Sequence, residues 1–463
     1  MSVSKLYPKK NPLPLIMYPP QMYKNNIGEK FLFDVADIEN TNSDVFGMYV
    51  AIPFCIQQCL SRPYFIERLP EESEVRRYIN ALTADLKRWS EHGKFKNSTL
   101  KTVYIGGGTG SIINNSLLTQ VLDGITDNFN TDNNLTITLE ANPTDLTEEK
   151  VDFIIEDKRI TAVSIGVQSF NDRLLKVLGA PHSGKQALES IKLFQSKGYE
   201  HFNVDFIFNM PTHTTEEWLS DLEIIKNLKV KHFTIYPYRL HWNSAQLKRI
   251  NEGKIAAPKD VESDEVVMMQ NMAANLAKEM NMTMYMPNYW ACEGFELPYN
   301  HWNFRVGADT LGVGPGAYSY INGVRFGSEK NVDEYIETVQ AGHHYISTAS
   351  EKLTVKQQME RFIIQCLHCL KVDFGIFQKK FGVDIRMEFK ELLAKLYAKG
   401  VLCEKDDCIT FTTQGAEYPI NVLLEFFDDS FWGDKSAKAL PVWAMNESMV
   451  DLITVEKEEW LGA

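Results

Sequence analysis

IPFCIQQCLSRPYF, residues 52–65, sets Cys55 and Cys59 in a C-x-x-x-C spacing and follows them with Arg62. A metal site with that spacing asks for at least one more soft ligand close by. The stretch closes the first of six short apolar, β-branched or aromatic runs: GMYVAIPF, TVYIGG, TITLEANP, AVSIGVQS, FNVDFIFN and HFTIYPY, spread over residues 47–238. Helical patterns lie between them. In EESEVRRYINALTADLKRW, Val75, Ile79, Leu82, Leu86 and Trp89 recur at three- and four-residue steps, the period of one helix face. Thr214 and Glu217 are spaced as a capping box opening a further helix. Repeated strand–helix units predict a parallel sheet, and six of them suit an open or partial α/β barrel. Active sites in such folds gather at the C-terminal strand ends, where the two cysteines stand.

Composition narrows the function classes. The chain has 463 residues, 44% hydrophobic and 24% charged, which is ordinary globular material for two or three domains. A formal net charge of −13, with no long Lys/Arg block, argues against a general nucleic-acid surface. No apolar run approaches the roughly 20 residues that span a bilayer. Prolines interrupt the N-terminal apolar stretch and no signal-peptidase pattern follows, so a cytoplasmic protein is expected. Seven cysteines without a repeating frame fit reduced thiols.

The domain reading is an N-terminal extension (1–45), a barrel with its own extension (46–345), a small domain (350–427) and a tail (428–463). In the small domain, VKQQMERFIIQCLHCL, DFGIFQKKF and IRMEFKELLAKLYAKG read as helices, and VLCEKDDCITFT as a hairpin turning at Asp406-Asp407. That is a winged-helix-like shape whose residues are not strongly basic, so a protein-facing or lid role is expected over DNA binding.

Residues able to do chemistry collect at the strand ends. TVYIGGGTGS (102–111) follows the second strand with bare backbone that a ligand can approach closely, although a tight turn explains such a triplet equally well. Glu140 ends the third strand, Gln168 the fourth, and Asp205 lies within the fifth. A carboxylate or amide in an apolar strand must find a partner if buried.

As a set, IPFCxxxC, GGGT, ExNP, IGVQSFND, the Asp205 strand with its following proline, LGxGPGA and the wing-like domain resemble the radical S-adenosylmethionine (SAM) family. The branch resembled is that of oxygen-independent coproporphyrinogen III oxidase and the heme chaperones, over roughly residues 46–427. The resemblance implies a partial (β/α)6 barrel holding SAM, with three cysteines ligating a [4Fe–4S] cluster. It implies that Gly107, Gly108 and Thr109 meet the methionine moiety, that Glu140, Gln168 and Asp205 hold polar groups of SAM, and that Phe65 lies near the cofactor. Cys55 and Cys59 would be metal ligands if a cluster forms, and only then is an electron donor implied as a partner.

The departures point elsewhere. The third cysteine position is Arg62, and a guanidinium does not ligate iron. The family's arginine after IGVQSFND is Ala180 here, and the heme-associated histidine of the chaperone branch's H-N-x-x-Y-W is Asn300, followed by His301. Read together, they predict an enzyme that binds SAM without a cluster, Arg62 clamping its carboxylate. It would use the sulfonium in polar, transferase- or lyase-type chemistry on a small molecule, with Glu140 or Asp205 as proton acceptor. The alternatives are a conventional radical enzyme, and a non-enzymatic heme-binding chaperone with His301 among Tyr299, Trp302 and Phe304. Cys366 and Cys369 share a helix face and read as core thiols.

Overall fold

The computed structural model describes residues 6–8, 17–20, 23–24, 30–39, 45–57, 60, 67–240, 244–260, 263–329, 331–432 and 461. Cys59, Arg62 and Phe65, and the roles expected of them, lie outside the described residues. Six parallel strands run side by side: β1 (Val45–Ile52), β2 (Thr99–Gly107), β3 (Thr131–Ala141), β4 (Ile160–Gln168), β5 (Phe202–Phe208) and β6 (His232–Pro237). A seventh, β7 (Asp309–Val313), adds parallel to the outer side of β1. Antiparallel strands extend both edges into one open sheet, with β6 paired to Tyr289–Ala291 and β7 to Tyr318–Ile321. The expected open α/β sheet is therefore observed; it does not close.

The helical face read from the sequence is the one buried. In α1 (Glu72–Ser90), Val75, Ile79, Leu82, Leu86 and Trp89 all pack inward, and Asp85 goes in with them. Crossover helices α2 (Asn115–Thr126), α3 (Glu148–Glu156), α4 (Gly184–Ser196) and α5 (Thr215–Leu228) cover the same outer face, as right-handed βαβ units require. Thr214 and Glu217 form the capping box at the start of α5. The indole N–H of fully buried Trp218 donates to the carbonyl of Met269 at 2.8 Å, fastening α5 to α6 (Asp264–Glu279).

A second core lies C-terminal to the sheet. It contains α8 (Val355–His368), which follows α7 (Val332–Gln340), and α9 (Phe374–Phe381). The third expected helix breaks at Phe389, whose φ of −109° and ψ of 27° leave Ile385–Glu388 and α10 (Lys390–Ala398) as separate pieces. The hairpin turns at Asp406-Asp407, both with positive φ, between Leu402–Lys405 and Cys408–Phe411. A third short strand, Lys371–Asp373, pairs with the latter; three residues are too few to show a period. Tyr7 and Tyr18, from the N-terminal extension, are buried in this second core. On the wing, Lys395 and Lys399 share the carboxylate of buried Glu425, at 3.2 and 3.1 Å, which offsets one of the two positive charges. Cys403 faces Thr410 while Cys408 faces Lys405, so the two are not cross-strand partners. No helix among the described residues is long and apolar enough to cross a membrane.

Candidate functional site

Two ends of the parallel sheet carry chemistry. At the C-terminal end, β1 runs on through Pro53 into Phe54–Cys55, and the backbone returns: Glu67 N–H donates to Pro53 O and Leu69 N–H to Cys55 O, both at 2.8 Å. Gln57 and Leu60, between these strand pieces, dock on the C-terminus of the short helix Asp172–Leu178 that follows β4. Leu60 N–H reaches Leu178 O at 3.0 Å, Gln57 Nε2 reaches Gly179 O at 3.0 Å, and the Leu60 side chain lies over Gly179. The cysteine loop is thus a neighbour of Ala180, the position where the resemblance places an arginine.

The glycines of GGGT have distinct reasons. Gly107 sits at φ +112°, a region that favours glycine, with its peptide exposed at the mouth and its N–H donating to Glu140 Oε2 at 3.2 Å. Gly108 is pressed against Phe54: a Cβ there would stand 2.3 Å from the Phe54 carbonyl oxygen. The triplet therefore serves its own chain's packing as well as any ligand. Thr109 is buried just beyond, its hydroxyl donating to Gly108 O at 2.7 Å.

Gln168 ends β4 at φ +65°, and its Oε1 is buried without a hydrogen-bond partner among the described residues. The next turn is fixed from α5. Asp221 accepts from Ser169 Oγ at 2.6 Å and from Phe170 N–H at 2.9 Å, while Glu217 accepts from Asn171 and Arg173. Burial pushes the Asp221 carboxyl up to about 6, against those two hydrogen bonds. The folded chain then binds more protons than the unfolded one between about pH 4 and 6, so this group's contribution to stability grows as pH falls through that window. Above it, the ionised carboxylate costs on the order of 3 kcal/mol. Asp221→Asn is expected to flatten the dependence of urea-unfolding free energy on pH between 4 and 6; an unchanged slope contradicts it.

Asp205 lies in β5 between Asn203, level with Glu140 through Ser164, and Phe206, the cross-strand partner of Gln168; its carboxylate accepts from Ser164 Oγ at 2.9 Å and Asn203 Nδ2 at 2.8 Å. Thr234 extends the network to Asn203 at 3.1 Å. Tyrosines fill the space around it. Tyr104 stacks on Tyr49 with centroids 5.9 Å apart and meets Tyr299 at a tilt of 52° at 5.3 Å, and the Tyr236 and Tyr289 hydroxyls meet at 2.6 Å. Burial, with Glu140 and Asp205 nearby, holds the Tyr104 hydroxyl firmly protonated.

At the opposite end, residues 298–305 close the N-terminal strand ends. Asn303 Oδ1 accepts from Thr310 at 2.8 Å and crowds Gly47, while Lys101 approaches the Trp302 ring at 5.8 Å. His301 opens a π-turn (His301–Arg305), exposed at the surface with its ring edge-on to Trp302. Desolvation, then Arg305, lowers its pKa, so the imidazole is neutral near pH 7 and one of its ring nitrogens carries a lone pair. Asn300 beside it is buried. Cys366 and Cys369 are core thiols, pushed up by burial; Cys366 Sγ donates to Arg305 O at 3.3 Å.

Residues 54–225 match the family model of the Radical SAM superfamily, and the chain's likeness is to the coproporphyrinogen-oxidase-like and heme-chaperone branch of that superfamily. The chain is 27% identical over 394 residues to the heme chaperone HemW of Lactococcus lactis, covering 82% of this chain and 97% of that protein. It is also 27% identical to HemW of Bacillus subtilis, covering 79% and 95%. Among solved structures, coproporphyrinogen III oxidase HemN of Escherichia coli superposes with a TM-score of 0.73 at 18% identity, covering 88% of this chain and 96% of that one.

These findings overturn the expectation of a cluster-free SAM enzyme with Arg62 as its clamp. The likeness to heme chaperones extends over most of the chain, whereas that expectation rested on two substituted positions. The superfamily implies SAM and, as a rule, a [4Fe–4S] cluster. The unpartnered Gln168 Oε1 and the exposed Gly107 peptide suit SAM's polar groups. Among the described residues, no three His, Cys, Asp or Glu side chains converge to hold a metal, and Cys55 is the one described thiol of the loop.

Proposed function

We propose that this chain is a heme-binding protein of the heme-chaperone type, with a radical SAM domain as its scaffold and His301 as the residue that would hold the heme iron. What carries the reading is the end-to-end likeness to proteins named heme chaperones, joined to an exposed, neutral imidazole on the π-turn where the branch's motif falls. A neutral imidazole ligates iron without first losing a proton. Asn300 takes the branch's histidine position one residue earlier, and a buried carboxamide there is not an iron ligand of the usual kind. SAM would be held at the other end of the sheet by Gly107, Gly108, Thr109, Glu140, Gln168 and Asp205. Bound SAM supplies a sulfonium and an α-amino acid group; the chain's own residues there accept and donate hydrogen bonds, and no transfer step is required for carrying heme.

The test is hemin titration followed by the Soret band. Wild type is expected to bind one heme with a shifted Soret maximum, and His301→Ala to weaken binding at least tenfold while Asn300→Ala changes it little. Equal affinity of His301→Ala and wild type would overturn the assignment.

A further inference from the structure

Outside both sites, four side chains form an unbroken line from the interior to the surface. Asp85 of α1, fully packed in, faces His344 Nδ1 at 2.8 Å; His344 Nε2 faces His92 Nε2 at 3.0 Å; His92 Nδ1 faces Glu39 Oε1 at 2.9 Å. The line joins three separate pieces of chain. Glu39 belongs to the N-terminal segment, His92 to the joint after α1, and His344 to the loop after α7.

The surroundings fix the rings. His344 stacks on Trp89 at 3.7 Å, and His92 lies against Phe33 and Trp89, both at 5.7 Å. Asp85 also accepts from Tyr335 at 2.9 Å, with Arg88 at 4.0 Å. Arg88 is otherwise spent on the carbonyls of His343 and Val339. Glu39 takes the Gly93 N–H at 2.9 Å and feels Lys96; despite some desolvation, the His92 and Gly93 hydrogen bonds hold its carboxyl below the usual range. Tyr78 also lies near Asp85, its hydroxyl donating to Ala51 O at 2.6 Å, while Tyr345 and Glu334 bond to each other at 2.7 Å.

A proton count follows from the three contacts. With both carboxylates ionised, each Nδ1 must carry a hydrogen, and the central contact needs one more. Two neutral imidazoles bring two N–H groups in all, so three contacts require one added proton. With no added proton, two lone pairs oppose each other at the centre. With two, N–H opposes N–H. We propose that His92 and His344 form a site for a single shared proton, which clasps the Lys30–Glu39 segment to the sheet and opens when that proton is lost or joined by a second.

The sign of the pH effect is fixed by that count. The unfolded chain holds two protons on these rings well below pH 6.5 and none well above it, whereas the closed clasp holds one. The unfolded state binds more protons on the acid side, so stability there falls as pH falls; on the alkaline side the clasp binds more, so stability falls as pH rises. The clasp is therefore strongest near pH 6.5 and weakens on both sides.

The experiment is a double-mutant cycle with His92→Gln, His344→Gln and the double variant, by urea unfolding of the full chain from pH 5 to 8.5 with EDTA present. The coupling between the positions, read as a factor in the unfolding constant, is expected to peak near pH 6.5 and fall about tenfold by each limit. A coupling that stays flat from pH 6.5 to 8.5 overturns the shared proton. Because a variant may lose its fold, histidine-selective 15N spectra of wild type provide a second reading. One ring pair should keep a single imidazolium proton at pH 7.5; two neutral rings at that pH refute the site.

Discussion

Gly108→Ala is expected to lower stability by about 3 kcal/mol, the upper part of the range for forcing extra volume into packed structure. The added methyl would stand 2.3 Å from the Phe54 carbonyl oxygen and 2.9 Å from its nitrogen. These are backbone atoms, tied down by the Gly108 N–H to Ile52 O bond at 2.8 Å and by the Phe54 ring set edge-on to Tyr78 at 5.3 Å. Relief requires moving Phe54, and Cys55 moves with it. The control is Gly198→Ala, where φ is +72° and nothing lies within 4 Å of the new Cβ. Backbone strain alone then costs about 1–2 kcal/mol. Urea denaturation compares the two, and thiol labelling of Cys55 should quicken only in Gly108→Ala. Equal losses in both variants would show that the contact with Phe54 is unimportant.

Asp309→Ala should cost about 3–5 kcal/mol, the usual consequence of stranding one member of a buried ion pair. Lys94 is wholly buried, and its Nζ lies 2.7 Å from Asp309 Oδ2. Burial raises the Asp309 carboxyl pKa, but Lys94, with Lys380 near, more than reverses this and keeps it ionised. Without that carboxylate, Lys94 must be buried charged and unpaired or give up its proton; both are costly. Lys94→Met/Asp309→Leu, which removes both charges, should recover most of the loss. If the single variant loses under 1 kcal/mol in urea unfolding, water or another anion is compensating Lys94.

The parallel sheet was legible because each strand–helix unit repeats its own signal, and the α1 face because five apolar residues keep a helical step from Val75 to Trp89. The mouth was legible in part. Glu140, Gln168 and the glycines end their strands, and a strand end is a local feature. Asp205 shows the limit: its place in an apolar run gives no sign that its carboxylate accepts from Ser164 on the neighbouring strand and Asn203 on its own. Asp221 was missed altogether. It sits in an ordinary amphipathic helix, and its partners are some fifty residues earlier in sequence. The Asp85–His344–His92–Glu39 line was invisible for the same reason, since its members are brought together from three segments. Function was misjudged because two substitutions were given more weight than the rest of the chain.

His301 and Gly107 stand at opposite ends of the same strands. From Lys101, beside Trp302, to Gly107 is six residues along β2, roughly 20 Å of extended chain. At ordinary salt the ionic atmosphere fades over about 10 Å, so a charge arriving at one end is all but silent at the other. Events at the two ends are then independent to first order, and their free energies should add. What communication remains has a solid route, strand β2 itself, with Tyr104 at its midpoint against Tyr299. A charge placed at one end therefore leaves the electrostatics of the other nearly unchanged, as with two ports on opposite walls of one vessel.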